Sequence, residues 1–99
     1  MIGTIKHIIV AAVDNREALS KQKYSGIHKV DELCGNKVVD VYRTHMTVLL
    51  PKFIQFGINA SELNKMIENV VNNTTFDDCI LEWDACSLWF TIKPRENKA

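Results

Sequence analysis

NASELNKMIENVVNN, residues 59–73, carries the strongest structural signal in the chain. Asn59 can cap a helix, and Glu62 stands three residues later at capping-box spacing. Leu63, Met66, Ile67, Val70 and Val71 then follow the i, i+3, i+4, i+7, i+8 positions of one helical face. Glu62, Asn64, Lys65, Glu68 and Asn69 take the other face. Asn72 and Asn73 supply the exit. The stretches on either side are rich in Val, Ile, Tyr, Phe and Trp, so this helix is expected to cover a sheet.

Downstream, Asn72–Asp78 reads as a polar connection. Cys79–Trp83 and Ser87–Lys93 read as strands joined by a turn at Asp84-Ala85-Cys86, with Leu88, Phe90 and Ile92 inward. Upstream, Lys37–Leu49 reads as a long strand. Pro51-Lys52 turn, and Phe53–Ile58 is expected to return as its hairpin partner, with Gly57 at a bulge or at the strand's end. Ile27–Cys34 has apolar residues at 27, 30 and 33/34. That spacing predicts a short helix closed by Gly35 in the left-handed conformation. Residues 2–23 follow helical spacing through Ile2, Ile5, Ile8/Ile9, Ala12/Val13 and Leu19. A strand over 4–13 followed by a short helix is the alternative, because HIIVAAV is β-branched. Ser25-Gly26 breaks the chain in either case.

The expected order is α-(α)-β-β-α-β-β. It describes an α+β sandwich with an antiparallel sheet of about four strands and helices on one face. One domain over residues 1–94 is expected, with 95–99 as a frayed tail. The 99 residues suffice for one small core.

Composition narrows the function. Hydrophobic residues make up 46% and charged residues 24%, an ordinary globular balance. Lys plus Arg and Asp plus Glu number 12 each, so net charge is zero. A general nucleic-acid binder would carry a basic excess, and nucleic acid is therefore disfavoured as a partner. The charges are unevenly spread: residues 1–58 hold eight basic and five acidic side chains, residues 59–99 four and seven. No run reaches the ~18 apolar residues that span a membrane. The three cysteines, Cys34, Cys79 and Cys86, form no disulfide framework, and a reduced, cytoplasmic setting is expected.

Two constellations compete for function. Arg43 and His45, at i, i+2 on a strand, project from one face about 7 Å apart. Lys37 shares their parity. Imidazole beside guanidinium can do acid–base work on a phosphodiester, with His7 or His28 as a candidate second imidazole. The bland reading is an exposed polar half of a sheet. The other constellation is acidic and aromatic: Glu62, Asp77, Asp78, Glu82, Asp84 and an outward Trp89. Carboxylates steer basic partners, and tryptophan anchors interfaces. The bland reading there is a solvated helix face, turn aspartates and a packed ring.

No C-x₂₋₄-C knuckle, G-x-S-x-G or phosphate loop is present, so no metal site and no cofactor are expected. Enzymatic function stays open, with binding favoured. The leading expectation is a protein-binding module, in concrete form a bacterial or phage immunity or antitoxin-type inhibitor that neutralises a nuclease toxin with a basic surface. The alternatives are a small ribonuclease or RNA-binding protein using His45, Arg43 and Lys37, and an oligomeric structural subunit.

Overall fold

The computed structural model describes residues 2–55 and 57–95. The helix at the centre of the sequence, α5, spans Ala60–Asn73, and Asn59 caps it by accepting a 2.8 Å bond from the Ser61 amide. Leu63, Ile67 and Val70 are buried, with Met66 and Val71 packed beside them. Against α5 lies α1, Ile2–Asp14, whose Ile5, Ile9, Ala12 and Val13 form the facing stripe. The helical alternative for the N-terminus is therefore the one adopted. It is two helices rather than one: α2 spans Arg16–Ser20 and turns carry the chain onward.

The sheet is four-stranded and antiparallel throughout, in the order β1-β2-β4-β3. Its strands are β1 Ile27–Cys34, β2 Lys37–His45, β3 Cys79–Asp84 and β4 Trp89–Pro94. The expected architecture holds, with helices on one face, but two elements exchange type. Ile27–Cys34 is a strand and not a helix. Gly35, at φ +64°, occupies the first central position of a two-residue turn, and Asn36 has an ordinary negative φ. That is the II′ geometry that closes a tight hairpin. The apolar residues at helical spacing do not share a buried face, since Val30 is 44% and Leu33 72% exposed.

Residues 53–55 and 57–58 are correspondingly not a strand, and Phe56 lies outside the described residues. β1 already pairs with β2, and Pro51 opens a helix, α4, Pro51–Gln55. Proline is suited to a first helical turn, where its missing N–H costs nothing. Gly57 at φ +73° follows α4. The strand read as running to Leu49 stops at His45, where α3, Met46–Leu49, begins. The His45 ring caps α3 by accepting from the Thr47 amide at 3.2 Å. Met46 and Leu50 drop into the core.

Strand alternation then sorts the side chains. Tyr42 and Thr44 from β2, Phe90 and Ile92 from β4, and Cys79, Leu81 and Trp83 from β3 face the helices. Trp83 Nε1 donates to Asn64 Oδ1 at 2.7 Å, tying β3 to α5. Sequence alternation puts Leu88 within the last strand. It sits instead in the turn before β4 with φ +64°, and its carbonyl accepts from the Met46 amide at 2.9 Å. Arg95, expected in a frayed tail, is held: its amide donates to the Asp78 carbonyl at 3.1 Å and its guanidinium to the Phe76 carbonyl at 2.9 Å. Residues 96–99 lie outside the described residues.

Gly26 joins α2 to the sheet at φ +75°, and a Cβ there would collide with Val48 Cγ1. Gly26→Ala is expected to destabilise by at least the ~1–2 kcal/mol of a left-handed L-residue, and by more through the clash. Urea unfolding checks this, and a loss below about 0.5 kcal/mol, the ordinary surface range, would contradict it.

Candidate functional site

The second face of the sheet is covered by no helix among the described residues. It is organised in rows by strand register. His28, Arg43, Thr91 and Glu82 form one row across all four strands. His45, Trp89 and Asp84 form the next. Val30 and Val41 stand in a third row, where Lys93 pairs with Ile80. Val41 is only 2% exposed yet stands apart from the helix-side core. It is the floor of a shallow depression of about 370 Å³, walled by Val30, Glu32, Arg43, Thr91 and Lys93.

Trp89 anchors one end of this face, as the first residue of β4 beside His45, the last of β2. Its ring is half-buried, with the Arg43 guanidinium 5.0 Å from the ring centroid and the His45 ring 5.2 Å away, edge-on at 79°. Stacking a cation on the indole stabilises the pair by about 0.5–1 kcal/mol at an exposed site and fixes the ring's orientation. His45 is committed on one side. Nδ1 accepts from the Thr47 amide and lies 2.6 Å from Thr47 Oγ1, which places the proton of the neutral ring on Nε2.

At the β3 margin, Asp84 Oδ1 accepts from the Cys86 amide at 2.9 Å and the Ser87 amide at 3.3 Å. These bonds hold its carboxyl below the usual range, with Arg43 adding a smaller attraction. Glu82 reaches Lys93 at 3.2 Å.

The two constellations read from the sequence thus meet in part. Arg43, His45, Trp89, Glu82 and Asp84 share one patch. Lys37 has the right parity but lies six residues from Arg43, about 20 Å along the strand. Glu62 is exposed on α5, in the helix layer behind the sheet. Asp77 and Asp78 precede β3, at the far end of that strand from Asp84. Asp78 is bound to Arg16 at 3.0 Å, which lowers its carboxyl below the usual range. The acids therefore do not form one continuous surface.

His28, from sequence only a candidate second imidazole, and Thr91 and Lys93 also belong to the patch. Once Ile27–Cys34 is a strand, His28 takes the parity of Val30 and falls opposite Arg43. Cys79 is buried, and its thiol is pushed up by that burial; Cys86 is exposed. Among the described residues no helix is long and apolar enough to cross a membrane. Compared with family models, curated proteins and solved structures, the chain shows no significant match.

Proposed function

We propose that the chain is a non-enzymatic protein-binding module whose contact surface is the uncovered face of its sheet, anchored by Trp89. The observation that carries this is the setting of Trp89. A half-buried indole, oriented by Arg43 and His45, lies on a face that no described element covers. Tryptophan and arginine dominate the energetics of protein interfaces when they are central and well packed. The charges of the face support a protein over a polyanion. Lys37, Arg43 and Lys93 are interleaved with Glu32, Glu82 and Asp84, whereas phosphate binding favours an unbroken basic strip.

The concrete form we favour is a small inhibitor of the immunity or antitoxin type, of bacterial or phage origin. Glu82 and Asp84 would meet the basic rim of a nuclease toxin while Trp89 fills its neighbouring surface. This form rests on size and surface chemistry. The test is binding to the product of the adjacent reading frame, followed by Glu82→Lys and Asp84→Lys. Each reversal is expected to weaken binding by about 1 kcal/mol or more, with affinity falling as salt is added. Indifference of a confirmed complex to both reversals and to salt would sink the acidic margin.

A second reading has one observation in its favour. His28 lies diagonal to His45 across the β1–β2 ladder, and such neighbours are about 7–8 Å apart. Two imidazoles beside Arg43 are the groups an RNA-cleaving site would use. RNA cleavage lost in His45→Ala, with the fold kept, would replace the binding reading.

A further inference from the structure

We propose that β1 is a self-pairing edge, through which two copies of this chain join their sheets into one antiparallel sheet of eight strands. Among the described residues β1 ends the sheet on one side, with β2 as its single neighbour. The Gly35-Asn36 turn makes Cys34 and Lys37 the hydrogen-bonded closing pair of the hairpin. By alternation, Glu32 and Val30 also bond to β2. The backbone N–H and C=O groups of Lys29, Asp31 and Leu33 then point outward. Among the described residues none of these outward groups has a partner. An open edge of this kind is a template for another strand.

The side chains name the occupant. A two-fold axis normal to the sheet pairs residues of equal parity, so the axis passes through one residue of β1. Centred on Val30, the register sets Val30 against Val30, Lys29 against Asp31 and His28 against Glu32. Leu33 falls opposite Ile27. Every charged residue then meets an opposite charge or an imidazole. Centring on Lys29, Asp31 or Glu32 opposes a like pair at the axis, which destabilises a sheet.

The isolated chain carries a matching deficit. Asp31 lies directly opposite Asp40 in the hairpin, and the single Lys29 reaches Asp40 at 3.5 Å. Asp31 of one protomer is left facing a like charge, which Lys29 of its partner offsets. The pairing also covers Leu33, 72% exposed, and Val30, 44% exposed. It sets both Trp89 patches on the same side of the joined sheet, which makes the binding face bivalent. The edge meets that face through His28 and Val30, but Trp89 stands on β4, beyond β2, so loss of the dimer and loss of Trp89-centred binding can be told apart.

Sedimentation velocity on the full chain tests this. The wild type is expected to be a dimer that dissociates on dilution. Val30→Lys, and Asp31→Lys alone, should each sediment as a monomer with an unchanged circular dichroism spectrum, since both side chains are exposed. The double variant K29D/D31K should recover the dimer, because the swapped charges again oppose each other. In a Cys34→Ser, Cys86→Ser background, Val30→Cys should form a disulfide-linked dimer on mild oxidation, since opposed residues at the axis lie within disulfide reach. His28→Cys alone should not. A monomeric wild type at the highest attainable concentration overturns the proposal. So does a dimer that survives Val30→Lys and Asp31→Lys.

Discussion

Phe90→Ala is expected to remove about 3–5 kcal/mol of folding stability, the usual cost of truncating a buried aromatic. Phe90 is 1% exposed. It sits opposite Thr44 on β2 and Trp83 on β3, the middle of the sheet's covered face. Its ring lies 4.5 Å from that of Trp83 at a 39° tilt, and it belongs to the core that α1, α5 and the strands build together. No smaller group can close that space, because helix and sheet backbones on both sides are fixed by their own hydrogen bonds. A domain of this size has a total stability of only about 5–15 kcal/mol. The variant should therefore show a urea midpoint displaced by a large fraction of the wild-type value with the slope unchanged. A displacement equivalent to less than about 1 kcal/mol, far below the truncation range, would mean that Phe90 is not at the centre of the core.

That residue and the helix opposite it were legible in the sequence. The stripe of α5 is periodic over fourteen residues and capped by Asn59, so its buried positions follow from spacing alone. The alternation of Leu88, Phe90 and Ile92 gave Phe90 and Ile92 their inward places. Leu88 packs against the core too, but from the turn, because a left-handed backbone takes it out of the strand, and no side-chain rule marks a leucine for that conformation. The errors at 27–34 and 53–58 share one cause. Both windows are short, and a few apolar residues fit either period. Gly-Asn can end a helix or turn a hairpin. What decides is the partner strand, and pairing lies in tertiary structure. Reading Gly35-Asn36 as a hairpin would have put His28 opposite Arg43 and left Phe53 without a strand to pair with. The candidate site was legible only as parity: Arg43 with His45, and Trp89 outward. Their meeting required the β2–β4 pairing, which joins segments more than forty residues apart in the chain.

Trp89→Ala is expected to cost the complex with its protein partner at least about 2 kcal/mol, roughly a thirtyfold loss of affinity, the threshold for an interface hot spot. The neighbouring residue sets the control. Trp89 and Phe90 are adjacent on β4, and the pleat sends one to the uncovered face and the other into the core. Trp89→Ala should therefore lower stability much less than Phe90→Ala while lowering affinity far more. Trp89→Phe keeps a ring beneath Arg43 and is expected to recover part of the affinity. Arg43→Ala removes the cation 5.0 Å from the indole centroid and frees its orientation, so its loss should be smaller and should overlap with that of Trp89→Ala in a double-mutant cycle. Titration calorimetry with the identified partner measures all four. If Trp89→Ala binds as the wild type does, the contact lies elsewhere on the molecule. The half-buried indole is then held by Arg43 and His45 only to shield the end of the sheet beneath it from water.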